Sequence, residues 1–238
     1  MVAMKIDVFA ICYNEEVMLP YFIRHYSQFA SNITIFDNHS TDGTREILDR
    51  NRWISVCSYD SNNEIRDDIY LKIKNNCWKH SIADWVIVCD IDELVYFFKP
   101  LQNLENFTVV MPDWFEMVSD VLPIGEQQIY NQIHEGVCHG QTSKCIMFRP
   151  QALREINYDP GAHGINPVGD ARVLHTSDAG ILHYKYISPD YVARRHQEFG
   201  KRLSQVNRQN KWGVQYDFST EQTLACWRNL WENRKNVL

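Results

Sequence analysis

Trp85-Val86-Ile87-Val88-Cys89-Asp90-Ile91-Asp92-Glu93 is the stretch on which the fold turns. Five apolar residues in a row read as a strand buried on both faces, and the run stops abruptly at Asp90, Asp92 and Glu93. On an extended chain alternate residues point the same way, so Asp90 and Asp92 can face one hard cation. The sequence before it repeats the pattern of strand, polar turn and helix. Ile6 to Cys12 is a first strand, and Leu19, Phe22, Ile23, Tyr26 and Phe29 then fall at steps of three and four, on one helical face. Pro20 comes early in that helix, where a missing N–H costs little. Ile33 to Phe36 is a second strand and runs into the polar loop Asp37-Asn38-His39-Ser40-Thr41-Asp42-Gly43. A short helix through Ile47 and Leu48, a strand at Ile54 to Tyr59 and a helix marked by Ile65, Ile69, Ile73 and Cys77 complete the approach to Trp85.

Strands alternating with helices at this spacing predict β-α-β units, and so an α/β fold with a mostly parallel central sheet. In such sheets ligands bind beyond the carboxyl ends of the strands. Tyr13-Asn14-Glu15, Asp37 to Gly43 and Asp90 to Glu93 all lie just past strand ends, which places three polar clusters along one edge. Mn²⁺ or Mg²⁺ suits the carboxylates of Asp90 and Asp92, because such ions take a few protein oxygens and fill their other positions with substrate phosphate. Asp37 can accept from a nucleobase imide or a ribose hydroxyl; equally, Ser40, Thr41 and Asp42 can cap the next helix.

After residue 100 the pattern is irregular. Thr108 to Met111, Lys144 to Phe148 and Gly180 to Tyr186 read as strands, the second antiparallel to the first set. Asn157 to Gly169 holds two prolines and three glycines and reads as a loop. Two polar helices, Pro189 to Asn210 and Thr220 to Arg234, finish the chain. With no repeat, low-complexity tract or linker, one domain is expected: residues 1–93 a nucleotide-binding part, 94–188 an acceptor and catalytic part, 189–238 a helical segment.

A net charge of −6 over 238 residues argues against a nucleic-acid partner. From Lys185 to Leu238, however, ten Lys/Arg stand against five Asp/Glu, enough for a phosphate-bearing acceptor or peripheral contact with an anionic membrane surface. Arg194, Arg195 and Arg202 are expected to share a helical face. Seven cysteines at irregular spacing form no disulfide framework, no apolar run approaches the ~18 residues of a membrane span, and Met1 to Asp7 lacks a signal-peptide plan. A cytoplasmic setting is expected, at the membrane's cytoplasmic face if the basic segment docks there. His134, Cys138, His139 and Cys145 match no zinc spacing.

Ala10-Ile11-Cys12-Tyr13-Asn14-Glu15-Glu16, Asp37-Asn38-His39-Ser40-Thr41-Asp42-Gly43-Thr44 and Val88-Cys89-Asp90-Ile91-Asp92-Glu93, in this order and spacing, resemble the family 2-type glycosyltransferases of GT-A fold. Short bacterial and viral members are the nearest in pattern, with looser likeness at Lys144 to Pro150, Asn157 to His163 and Leu182 to Tyr186. The resemblance implies transfer of a sugar, with inversion, from a nucleotide-diphosphate sugar, a UDP-sugar being favoured, to a hydroxyl of a glycan or lipid-linked glycan. It gives Tyr13 and Asp37 to the base and ribose, with Asn14 and Glu15 shaping the pocket. Asp92 becomes the principal metal ligand, Asp90 a metal or ribose contact, and His183 a late metal or diphosphate contact.

The family's Glu-Asp pair, usual source of the catalytic base, is absent from the second half. Asp113, just past the Val109 to Met111 strand, is the first candidate and His163 the second, ahead of Asp120 and Asp159. Trp114, Phe115 and Trp212 are candidates for sugar stacking. Two other functions compete. An Asp90-nucleophile phosphohydrolase would usually place Thr or Val where Leu94 stands and would open on this strand; a non-catalytic nucleotide-sugar or glycan binder would lack turnover.

Overall fold

The computed structural model describes residues 4–140, 144 and 146–238; Cys145, the last of the weighed zinc ligands, lies outside them. Four strands, β1 (Ile6–Cys12), β2 (Asn32–Asp37), β3 (Ser55–Ser58) and β4 (Trp85–Asp90), pair in parallel in the order β3-β2-β1-β4. Helices α1 (Leu19–Tyr26), α2 (Thr44–Arg50) and α3 (Asp67–Asn76) connect them. The β4 run is buried on both faces, as its unbroken apolar sequence predicts. Trp85, Ile87 and Cys89 join the core that includes Val8, Phe22 and Tyr26, whereas Val86 and Val88 face Trp78, Phe148 and Ile156.

The second half extends the sheet with mixed direction. After β4 the chain turns through Ile91 and Asp92 into β5 (Glu93–Phe97). β6 (Val109–Val118), β7 (Glu135–Cys138) and β8 (Met147–Phe148) follow, with β8 antiparallel to both β4 and β6. β9 (Leu153–Glu155) and β10 (Val168–Gly169) make a separate pair. The long β11 (Val173–Tyr186) runs antiparallel to β5 and parallel to β6. Helices α4 (Pro189–Arg202), α5 (Gln205–Asn210) and α6 (Thr220–Asn233) follow, and β12 (Lys235–Asn236) edges β7. This is the layout that the GT-A resemblance implied. Among the described residues no helix is long and apolar enough to cross a membrane.

Three expectations need correction. The strand expected at Thr108 to Met111 continues to Val118, so Asp113 lies inside it rather than beyond its end. Among its described residues, the run from Lys144 is strand only at Met147–Phe148. The helix from Pro189 to Asn210 breaks at Leu203-Ser204: Leu203 is extended and bridges Ile65, and Ser204 caps a new helix by accepting from the Asn207 N–H.

Tyr26 ties α1 to the entry of β5. Its hydroxyl, fully buried, donates to the Glu93 carbonyl (3.0 Å) and accepts from the Val95 N–H (3.1 Å). Tyr26→Phe leaves both backbone groups unpaired in the core, and urea unfolding should show a loss of about 1–3 kcal/mol; unchanged stability would show that β5 does not depend on this link.

Candidate active site

A cleft of about 590 Å³ opens beyond the carboxyl ends of β1 and β4. Tyr13, Glu15, Asp90 and Asp92 line it from the parallel half, Trp114 and Glu116 from β6, and His183 and Lys185 from β11. Asp67, Tyr70 and Lys74 of α3, the loop Pro160 to His163, and Arg195, Arg202 and Trp212 from the C-terminal segment complete the wall.

Several of its acids and bases are paired. Lys74 Nζ lies 2.8 Å from Asp90 Oδ1, Lys144 pairs with Glu93 and stands 4.0 Å from Asp90 Oδ2, and Arg195 pairs with Glu15 across 180 residues of sequence. Burial pushes the Glu15 carboxyl up to about 7, against the pull of the Arg195 guanidinium. Burial would also raise Asp92, but His183 reverses this and holds the carboxyl far below the usual carboxylate range. Burial would depress the His183 imidazole; the carboxylates of Glu116 and Asp92 instead lift it to about 10. Register explains that group, because His183 stands opposite Glu116 on β6 and opposite Glu93 on β5.

These residues suit a divalent cation. His183 Nδ1 lies 2.8 Å from Glu116 Oε1, which fixes the ring and turns Nε2 toward Asp92 Oδ1, 3.6 Å away. Asp92 and His183 would hold such an ion between them. Its arrival would displace the Nε2 proton, since a ligating imidazole is neutral. A carboxylate and an imidazole are an acceptable pair for Mn²⁺. Among the described residues no three His, Cys, Asp or Glu side chains converge on one point, so the remaining positions fall to solvent or to ligand oxygens.

The predicted residues divide into two groups. Tyr13, Glu15, Asp90, Asp92, His163 and His183 all meet in the cleft. Asp37 and Asn14 stand behind it. Asp37 is buried and accepts from Ser40 Oγ (2.6 Å), with Arg45 at 3.5 Å. Asn14, at φ 52°, accepts from the Thr41 N–H (2.8 Å), and its own N–H donates to Ser40 Oγ (2.9 Å). Asn14 clamps the loops after β1 and β2 together and Asp37 holds Ser40 for it; the helix itself is capped at Gly43 with no side-chain bond, so neither Ser40 nor Thr41 is the N-cap weighed for that segment. Asp113 is not among the lining residues: strand alternation sends its neighbours Trp114 and Glu116 into the cleft instead. Phe115 packs on Phe98, while Trp114 and Trp212 do line the cleft.

His163 is placed by backbone conformation. Gly161 has φ 75°, and a Cβ there would lie 2.9 Å from the His163 ring, so glycine is needed. The ring packs 4.9 Å from Trp114 between centroids, and burial with nearby Lys144 pushes its pKa down to about 4. It is therefore neutral at pH 7, with a nitrogen lone pair to offer. Sequence reading missed Glu116, Lys74 and Lys144. A lone Glu alternating with Trp114 in an otherwise largely apolar strand was the available signal for Glu116.

No family model and no curated protein match the chain. Among solved structures it is similar to glucosyl-3-phosphoglycerate synthase from Mycobacterium tuberculosis in complex with Mn²⁺, UDP and glucosyl-3-phosphoglycerate. That match has 19% identity and a TM-score of 0.33, over 47% of this chain and 44% of that one, less than half of the enzyme's length. The same enzyme with Mn²⁺, UDP-glucose and phosphoglyceric acid aligns over 83% of this chain and 78% of its own, at 15% identity and TM-score 0.46. S. aureus TarS 1-349 aligns over 95% of this chain and 71% of its own, at 15% identity and TM-score 0.42.

Glu116 touches His183 and orients it from behind. Glu116→Ala should weaken Mn²⁺ affinity about 10–100-fold, the usual cost of losing such a support, as read by calorimetric titration of Mn²⁺ in the presence of UDP. Wild-type Mn²⁺ affinity in this variant would exclude His183 from the metal site.

Proposed function

We propose that this chain is a metal-dependent glycosyltransferase that moves a sugar from a nucleotide-diphosphate sugar, with UDP-sugars favoured, to a hydroxyl of a glycan or lipid-linked glycan. The observation that carries this reading is the approach of His183 to Asp92, 3.6 Å apart just beyond β4, in one cleft with Asp90, Tyr13 and Glu15. Residues 1–93 serve as the donor-binding part and 94–188 as the catalytic part.

A divalent cation held by Asp92 and His183 supplies positive charge against the diphosphate leaving group. The chain's own residues do the rest. Lys74 fixes the Asp90 carboxylate, leaving its second oxygen toward Lys144 and the cleft. Tyr13, held by its hydroxyl donating to Asn63 Oδ1 (3.0 Å), offers a ring against which a nucleobase can rest. Trp114, flanked by His163 and His183, presents an apolar face for a sugar ring. His163 replaces Asp113 as candidate base because it lines the cleft and is neutral. In the transfer the acceptor oxygen bonds to the anomeric carbon, the bond from that carbon to the diphosphate oxygen breaks, and the acceptor proton passes to an imidazole nitrogen of His163. Attack from the face opposite the leaving group inverts the centre.

Asp92→Ala should abolish transfer and Mn²⁺-dependent UDP binding while circular dichroism and melting stay those of a folded protein. Binding by calorimetry and turnover of a UDP-sugar panel check this; undiminished activity in the variant would remove the metal from the mechanism.

A further inference from the structure

Six Lys and Arg side chains line the cleft: Lys74, Lys144, Lys185, Arg195, Arg202 and Lys211. Lys74, Lys144 and Arg195 are matched by Asp90, Glu93 and Glu15. The other three, all on the wall formed by β11 and the C-terminal segment, have no carboxylate within ion-pair distance among the described residues. Lys185 rests its ammonium over the rings of Tyr216 (5.0 Å) and Tyr186 (5.7 Å). Arg202 is 9% exposed and lies over Tyr13 at 3.2 Å; its Nε–H donates to the Asn63 carbonyl (2.9 Å), and its buried Nη2 has no hydrogen-bond partner. Lys211, held left-handed at φ 58° after α5, brings its chain to the rim beside Trp212.

A buried guanidinium nitrogen without a partner is costly, and Lys185, half-buried in the same cleft with no carboxylate partner, adds a second charge that an anion would complete. We infer that this wall is a second anion seat, distinct from the place of the metal-held diphosphate, and that the acceptor carries a phosphate or comparable anionic group that docks against Lys185, Arg202 and Lys211. A guanidinium fork with one free edge and two ammonium groups suits the three outer oxygens of a phosphate. The C-terminal segment's excess of basic residues is thereby given a use inside the cleft, and Arg195, engaged by Glu15, is set apart from it. Arg194 is exposed and outside the lining.

The seat presupposes the donor site proposed above, and one experiment separates the two. Wild-type protein is first saturated with Mn²⁺ and UDP, then titrated with inorganic phosphate, by calorimetry at low salt. Phosphate should bind to the UDP-loaded protein, and Lys185→Met combined with Lys211→Ala should weaken phosphate at least tenfold while UDP affinity changes less than threefold. Lys211→Ala alone, at an exposed position, should weaken phosphate severalfold and serves if the double variant does not fold. Phosphate that binds only when UDP is absent would overturn the inference and return these cations to the donor's diphosphate. So would loss of UDP affinity in parallel with loss of phosphate, or a UDP-loaded protein that takes no phosphate. Failure of the wild type to bind UDP with Mn²⁺ would instead defeat the donor reading, and phosphate binding lost in the variants would still report the seat.

Discussion

Asp90, Asp92, Glu93 and Glu116 bring four carboxylates together where β4 ends, three of them buried, and a cluster of that kind is stable only if its charge is compensated on the spot. The compensation comes from every part of the chain. Lys74 arrives from α3, Lys144 from the approach to β8, and His183 from β11 between Asp92 and Glu116. A further pair, Glu15 with Arg195, locks α4 onto the turn after β1. The two halves of the chain are thus held against each other by the same charges that make the site.

That arrangement also gives Asp90 and Asp92 different tasks, although they look alike in sequence. Asp90 is engaged by lysines on both oxygens. Asp92 faces a histidine whose far side is fixed by Glu116, and exchange of one proton for a cation would leave that geometry nearly unchanged.

The parallel half was legible in the sequence because its signals are local. The apolar run from Trp85 to Cys89, the periodic helix faces and the polar turns each lie within a few residues, and β1 to β4 with their helices appear where these place them. The second half was read less well because its partners are remote. Glu116 and His183 meet through the register of β6 with β11, a pairing 67 residues apart, and Glu15 meets Arg195 over 180. Asp113 looked like a strand-end carboxylate because the strand was read as ending at Met111; the strand runs on to Val118, and alternation gives the cleft to Trp114 and Glu116 instead. The break at Leu203 likewise follows from a contact with Ile65 that no helical periodicity encodes.

The central claim is that Asp92 and His183 jointly hold a divalent cation. Crystals grown with Mn²⁺ and UDP, measured for anomalous scattering at the manganese edge, test it most directly. A single strong peak bonded to an Asp92 carboxylate oxygen and to His183 Nε2, with UDP phosphate oxygens completing the ion's shell, is the predicted result. Manganese bound away from this pair, or UDP seated in the cleft with His183 Nε2 still facing Asp92 and no ion between them, would contradict it.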